Sequence, residues 1–106
     1  MAVVKINALD VPDEQGAELE RRFARTYESL REYPGFLDFE LLRPTAGENR
    51  YFVYSKWKTE EDFQNWKNGR GAQQAHSEGQ RQEPVATGMS LLEFEVALES
   101  HADSGE

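Results

Sequence analysis

Residues 36–58 read FLDFELLRPTAGENRYFVYSKWK, and the fold turns on this stretch. Phe36 to Arg43 and Arg50 to Lys58 are rich in aromatic and aliphatic residues that favour strands. Between them Pro44-Thr45-Ala46-Gly47-Glu48-Asn49 is a run of turn formers. So short a linker joins antiparallel neighbours, because a parallel crossover needs a dozen or more residues. The stretch therefore predicts a β-hairpin.

On the upstream side, Pro34-Gly35 ends a helix. Leu19, Phe23, Tyr27 and Leu30 recur at spacings of four, four and three and share one face. Glu18, Arg21, Arg22, Arg25, Glu28 and Arg31 lie mostly around the other. Pro12-Asp13-Glu14 marks the start, with acidic side chains at the positive end of the helix dipole. Before it, Val3 to Val11 is β-branched and aliphatic and predicts a first strand. Downstream, Thr59-Glu60-Glu61-Asp62 resembles a capping box with Asp in place of the usual Glu. It opens a short helix through Phe63 and Trp66, broken by Asn68-Gly69-Arg70-Gly71. Ala72 to Ser77 suits another helical turn or two, and Gly79 to Gly88 is polar and irregular. Ser90 to Glu99 alternates, with Leu92, Phe94, Val96 and Leu98 on one face, and predicts a fourth strand.

The order β-α-β-β-α-β is the split βαβ, ferredoxin-like arrangement of an α+β domain. We expect one domain over residues 1–99 and a flexible C-terminal tail over 100–106. Strand one offers Val4, Ile6 and Ala8 on one side and Val3 and Leu9 on the other. A sheet that is apolar on both faces wants two covers. Helices supply one, and a homodimer closing two sheets into a dimeric α+β barrel would supply the other. A chain of 106 residues has a modest core and gains stability from such pairing.

Composition narrows the function classes. Twelve basic residues against 20 acidic ones give a net charge of −8. No basic stripe stands out, which argues against nucleic-acid partners, and the same charge argues against anionic membrane surfaces. There is no cysteine, hence no disulfide framework, thiolate zinc site, thiol nucleophile or covalent c-type haem attachment. The opening MAVVKINALD reads as a strand rather than a signal peptide, and no apolar run approaches the ~20 residues of a membrane span. The expectation is a cytoplasmic protein.

Three residues stand out chemically. Asn7 lies mid-strand, where Asn is a poor choice, on the face that carries Val3, Lys5 and Leu9. It is either a satisfied or solvent-facing amide, or a donor on the floor of a ligand pocket, held by a rigid strand. Trp66 follows Phe63 by three residues, so both can face inward; it is core packing or a pocket wall for a flat ligand. His76 lies ten residues beyond Trp66, past the glycine break. It is a surface histidine in a polar loop or, if residues 72–77 are helical with Ala72 and Ala75 beside it, an imidazole with room above it for a broad ligand such as haem. Arg21, Arg22 and Arg25 suit a solvated helix face, although one could pair with an acidic ligand group. Glu60-Glu61-Asp62 reads as a helix N-terminus rather than a metal site, and a solvated face or edge explains Glu93 and Glu95. There is no phosphate loop, histidine-rich metal motif or nucleophile elbow.

The strand VVKINAL, the segment PGFLDFELLRPTAGENRYFVYSKW, the helix DFQNW and the ending PVATGMSLLEFEVAL together resemble the IsdG-type haem-degrading monooxygenases of the antibiotic biosynthesis monooxygenase superfamily. The likeness runs from about Ala2 to Leu98. It implies a ferredoxin-like dimer that binds haem non-covalently between sheet and helices, with haem as both substrate and cofactor, O₂, and an external electron donor or reductase. The family's trio carries over to Asn7, Trp66 and His76. His76 would ligate the haem iron on the proximal side. Asn7 would donate a hydrogen bond on the distal side, and Trp66 would press on the macrocycle and keep it ruffled. Arg22 or Arg25 would face a haem propionate. Two departures mark this chain. Thr26 stands where one branch of the family carries arginine, and one extra residue separates Trp66 from His76.

Two other readings share the fold. One is a cofactor-free phenol or quinol monooxygenase, which can use the same Asn, Trp and His. The other is a non-catalytic haem-binding dimer. His76 separates them, because an axial ligand must reach iron while an acid–base histidine need not.

Overall fold

The computed structural model describes residues 1–69 and 88–101. Along the chain these form β1 (Val3–Asp10), a single 3-10 turn (Asp13–Gln15), α1 (Gly16–Leu30), β2 (Phe36–Leu42), β3 (Tyr51–Trp57), α2 (Glu60–Asn68) and β4 (Gly88–Glu95). The strands make one antiparallel sheet in the order β2-β3-β1-β4. This is the ferredoxin-like α+β fold that the element order predicts, with β1 in the interior, paired on both edges.

The hairpin turn is built by its own side chains. Gly47 adopts φ of 83°, a left-handed conformation that glycine takes without strain. The Glu48 carboxylate accepts the backbone N–H groups of Asn49 and Arg50, each at 2.9 Å, and the Arg50 side chain as well. That guanidinium holds the Glu48 carboxyl down at about 2. The helix start is staged: Gln15 N–H closes the 3-10 turn onto Pro12 O before α1 begins at Gly16.

One boundary differs from the sequence reading. β4 spans Gly88–Glu95 rather than Ser90 to Glu99, so Val96 and Leu98 stand past its end. Its partner sets the limits: Gly88 pairs with Asp10 and Glu95 with Val3, the two ends of β1. Alternation marked the apolar rhythm correctly, but a strand stops where its neighbour stops.

The core lies between the helices and one sheet face. One cluster joins Val3, Leu30, Trp57 and Phe63, with Tyr33, Phe36, Phe39 and Trp66 against it. The other joins Leu9, Leu19 and Tyr51, with Phe23 and Val53 alongside. Trp57 is completely buried, edge-on to Phe36 and Phe63 at centroid distances of 5.6 and 5.9 Å. Tyr27 leans on Phe39 at 5.6 Å, as the helix periodicity requires.

The start of α2 sits hard against the turn before β2. Lys58 N–H bonds Gly35 O at 2.8 Å. Gly35 has φ of 82°, and a Cβ there would fall on the Asp62 carboxylate and 2.5 Å from the Asp62 Cβ. Glycine is needed twice over, for its backbone conformation and for this approach.

The opposite sheet face carries Val4, Ile6, Ala8, Leu42, Phe52, Tyr54, Leu92 and Phe94, by the alternation of paired residues. Phe94 and Leu42 are 51% and 41% exposed, and most of the rest are half-buried. Among the described residues no helix is long and apolar enough to cross a membrane.

Candidate active site

The floor of the site is a row set by strand register. Asn7 pairs with Val53 on one side and Leu91 on the other, and Leu9 with Tyr51 and Met89. Pairing keeps each row on one face, so Asn7, Leu91 and Met89 lie on the helix-facing side with the core residues Val3 and Leu9. Asn7 is half-buried. Met89 and Leu91 are 70% and 39% exposed, so among the described residues this corner of the helix-facing side is open. An amide set in an apolar row loses hydration and regains it only through a hydrogen bond.

Trp66 stands on α2, packed against the core cluster at the Val3 end of β1. α2 begins where the Thr59 hydroxyl caps Asp62 N–H at 3.1 Å and itself donates to the Asp62 carboxylate at 3.0 Å. This is the Thr59 N-cap the sequence predicts; the Asp62 carboxylate meets the Thr59 hydroxyl, where the reciprocal half of a capping box would engage the Thr59 backbone N–H. Four residues on from Asp62, Trp66 tilts over Trp57 with centroids 5.7 Å apart and over Phe63 at 6.3 Å. Trp57 pairs with Val3, four residues before Asn7. The strand rise puts the Val3 and Asn7 rows roughly 13 Å apart along β1.

Between them sits a residue that the sequence reading passed over. The Lys5 side chain is 5% exposed, and its Nζ donates to Glu60 Oε1 at 2.6 Å and Glu93 Oε1 at 2.7 Å. The ammonium also lies 4.9 Å from the Phe63 ring centroid. Burial alone would push the Lys5 pKa down, but the hydrogen bonds and charges of the two carboxylates outweigh it and hold Lys5 above the ordinary lysine value. Gln64 and then Lys5 in turn hold the Glu60 carboxyl down. The signal was present: Lys5 shares the face of Val3, Asn7 and Leu9, and an inward lysine must find carboxylates. Glu93, read as a solvated or edge residue, is one of them.

Arg22 and Arg25 are carried by α1. On a repeat of roughly 3.6 residues both fall on the opposite flank of the helix from Glu20, Ala24 and Tyr27. Arg22 Nε donates to Glu18 Oε2 at 2.7 Å, and Arg21 shares the same carboxylate, while Arg25 is exposed. On the Glu20 flank a shallow groove of about 370 Å³ runs between α1 and β2, and neither Asn7 nor Trp66 lines it. There Arg43 grips Glu20 with two bonds of 2.8 and 2.6 Å, and Tyr51 Oη adds a third at 2.7 Å. These hold the Glu20 carboxyl down at about 2, Arg43 first and Tyr51 second. His76 and the suggested helical turns at 72–77 lie outside the described residues. Glu60-Glu61-Asp62 form the first turn of α2, as the sequence reading expects.

The chain matches the family model for antibiotic biosynthesis monooxygenases over residues 2–78. A relative from Mycobacterium tuberculosis (strain CDC 1551 / Oshkosh), a mycobilin-producing heme oxygenase, is 57% identical over 99 residues, which are 93% of this chain and 92% of that protein. The structure of the heme-degrader MhuD from M. tuberculosis with two hemes in its active site superposes with a TM-score of 0.84 at 56% identity, covering 93% of this chain and 99% of the other. A variant of MhuD with two manganese protoporphyrin IX molecules per active site gives 0.87 at 55% identity, over 94% and 99%.

Proposed function

The chain belongs to the antibiotic biosynthesis monooxygenase family, and on that footing we propose that it is a haem-degrading monooxygenase. The observation that carries the reading is a half-buried strand amide, Asn7, in an open apolar row, in a chain 57% identical to a heme oxygenase over 93% of its length. The residues suit haem: the row of Asn7, Leu91 and Met89 offers a flat apolar floor with one polar donor, and Trp66 offers an aromatic wall. Haem bound there supplies the iron that activates O₂ and the porphyrin carbon that is oxidised, with electrons from an external donor.

The chain's own residues then divide the work. Asn7 Nδ2 would donate a hydrogen bond to a group bound above the sheet, held rigidly because β1 is paired on both edges. Trp66 is backed by Trp57 and Phe63, so it cannot retreat and would press on a bound macrocycle. His76 would hold the haem iron through its imidazole. Arg22 and Arg25, on one flank of α1, receive the propionates. Exclusion of water from the apolar row strengthens the Asn7 hydrogen bond.

Under the same proposal the protein acts in the cytoplasm as a homodimer. The apolar sheet face with Phe94 and Leu42 exposed supports the pairing, since such a face is covered in a stable assembly.

The experiment is a haemin titration of the purified protein. The Soret band should shift and sharpen, His76→Ala should abolish the change, and the band should bleach under O₂ with a reductant. Absence of binding would overturn the reading in favour of a cofactor-free phenol or quinol monooxygenase. Binding without bleaching would leave a haem-binding dimer.

A further inference from the structure

We propose that Lys5 is a positioning residue for this reaction: from the strand that bears Asn7 it fixes α2, and through α2 it fixes Trp66. The inference rests on the haem reading and deepens it, since it says what sets the distance between the floor donor and the aromatic wall.

α2 has nine residues, too few to hold a helix by itself, since isolated helices shorter than about 12–15 residues are marginal. Its place must come from the sheet beneath it. Phe63 is its one buried residue, and a single apolar knob fixes depth better than rotation. The Lys5 ammonium supplies the second point. It bonds Glu60 in the first turn and lies over the Phe63 ring one turn later, so it engages α2 at both positions preceding Trp66. Its other carboxylate, Glu93, is on β4, so the same cation also joins β1 to the strand that carries Leu91 and Met89.

The exposures are lopsided in an informative way. Lys5 is 5% exposed, whereas Glu60 and Glu93 are 49% and 52% exposed. Either carboxylate would be at ease in water without the pair. A cation has been brought under the helix instead, two residues from Asn7 on the same strand face. An apolar residue at position 5 would fill the space but would not fix the direction of α2, because apolar contact is non-directional and charge-assisted hydrogen bonds are not.

The test compares Lys5→Met, which keeps the stem and loses the charge, with Lys5→Arg, which returns it. Arg43→Gln opens the Glu20 clamp on the other flank of α1 and controls for lost stability. In haem-free protein, near-ultraviolet circular dichroism reads the close Trp57–Trp66 pair. Lys5→Met should lose much of that band, Lys5→Arg should recover most of it, and Arg43→Gln should leave it unchanged. With haemin, Lys5→Met should weaken binding about ten-fold and displace the Soret maximum, while Arg43→Gln stays within roughly two-fold of the parent. If Lys5→Met does not fold, Glu60→Gln removes one arm of the clamp at a half-exposed side chain and is read in the same assays. A Lys5→Met protein that melts earlier yet keeps the tryptophan band and the haemin affinity would overturn the proposal. If the parent protein binds no haemin, the haem reading falls, and the tryptophan band still decides the role of Lys5.

Discussion

Gly35→Ala puts a methyl group where the Asp62 carboxylate now lies. Two separate costs follow. The backbone at this position has φ of 82°, and a side-chain-bearing residue held in the left-handed region costs about 1–2 kcal/mol. The new Cβ also displaces Asp62, whose backbone N–H and carboxylate both engage Thr59; loss of such a cap costs about 1 kcal/mol. The sum is about 2–3 kcal/mol, which at about 4–8 °C per kcal/mol for a domain of this size lowers Tm by roughly 10–20 °C. Calorimetric melting at one fixed protein concentration measures it, because association shifts Tm by mass action. A second background separates the two causes. In Thr59→Ala protein the cap is already gone, so Gly35→Ala should then cost about 1 kcal/mol less, and the two substitutions should couple by about that amount. The Asp62 Cβ at 2.5 Å persists in that background and keeps the coupling from growing larger. A Tm change under about 3 °C, or the same cost in both backgrounds, would refute the claim that α2 is seated on this glycine.

Asn7→Ala should keep haemin binding and stability while slowing Soret bleaching by about 10²-fold, the loss seen when one preorganised donor is removed; unchanged bleaching in single-turnover spectra would remove Asn7 from the chemistry. Trp66→Ala, which strips a half-buried ring from Trp57 and Phe63, should destabilise by about 2 kcal/mol, less than the 3–5 of a fully buried ring, and change the product pattern seen by chromatography; an unchanged pattern would count against the pressing role. Glu20→Gln should lower the urea midpoint at neutral pH, and the gap to the parent should close as pH falls from the ordinary glutamate value near 4.5 to about 2. The sign follows from a depressed carboxyl, whose stabilisation is present above its unfolded value and lost as pH falls through its folded one; a gap that persists at pH 2 would contradict it. Phe94→Glu should leave the fold intact and yield monomers in sedimentation velocity, whereas dimers of unchanged affinity would exclude that face as the subunit contact.

Much of this architecture was legible because local and tertiary demands agree. The hairpin at 36–58, the Leu19, Phe23, Leu30 stripe and the Thr59 cap each carry their structure within a few residues. The end of β4 was not legible, because the alternation runs on through Leu98, past the last bond to the β1 side, from Val96 N–H to Ala2 O. The candidate site divides along the same line. The face occupied by Asn7 follows from strand parity alone. The Lys5–Glu60–Glu93 cluster depends on which strand lies beside β1 and on where α2 begins, and no short window contains that information. The Arg43–Glu20–Tyr51 clamp escaped notice for the same reason, since it ties α1 to residues beyond β2 and within β3.

β1 is made first, yet one of its edges waits for the last strand: Lys5 and its partner Glu93 are 88 positions apart. During synthesis the row holding Asn7 must pass through a stage with its β4 side bare, and pairing across such a sequence distance is slow. Until β4 arrives, the floor lacks Leu91 and Met89, the buried lysine has one carboxylate instead of two, and the open strand edge is a template for misplaced pairing. A nascent chain that has not yet released β4 therefore has an unfinished floor around Asn7, because the interior place of β1 makes that floor depend on a strand made long after it.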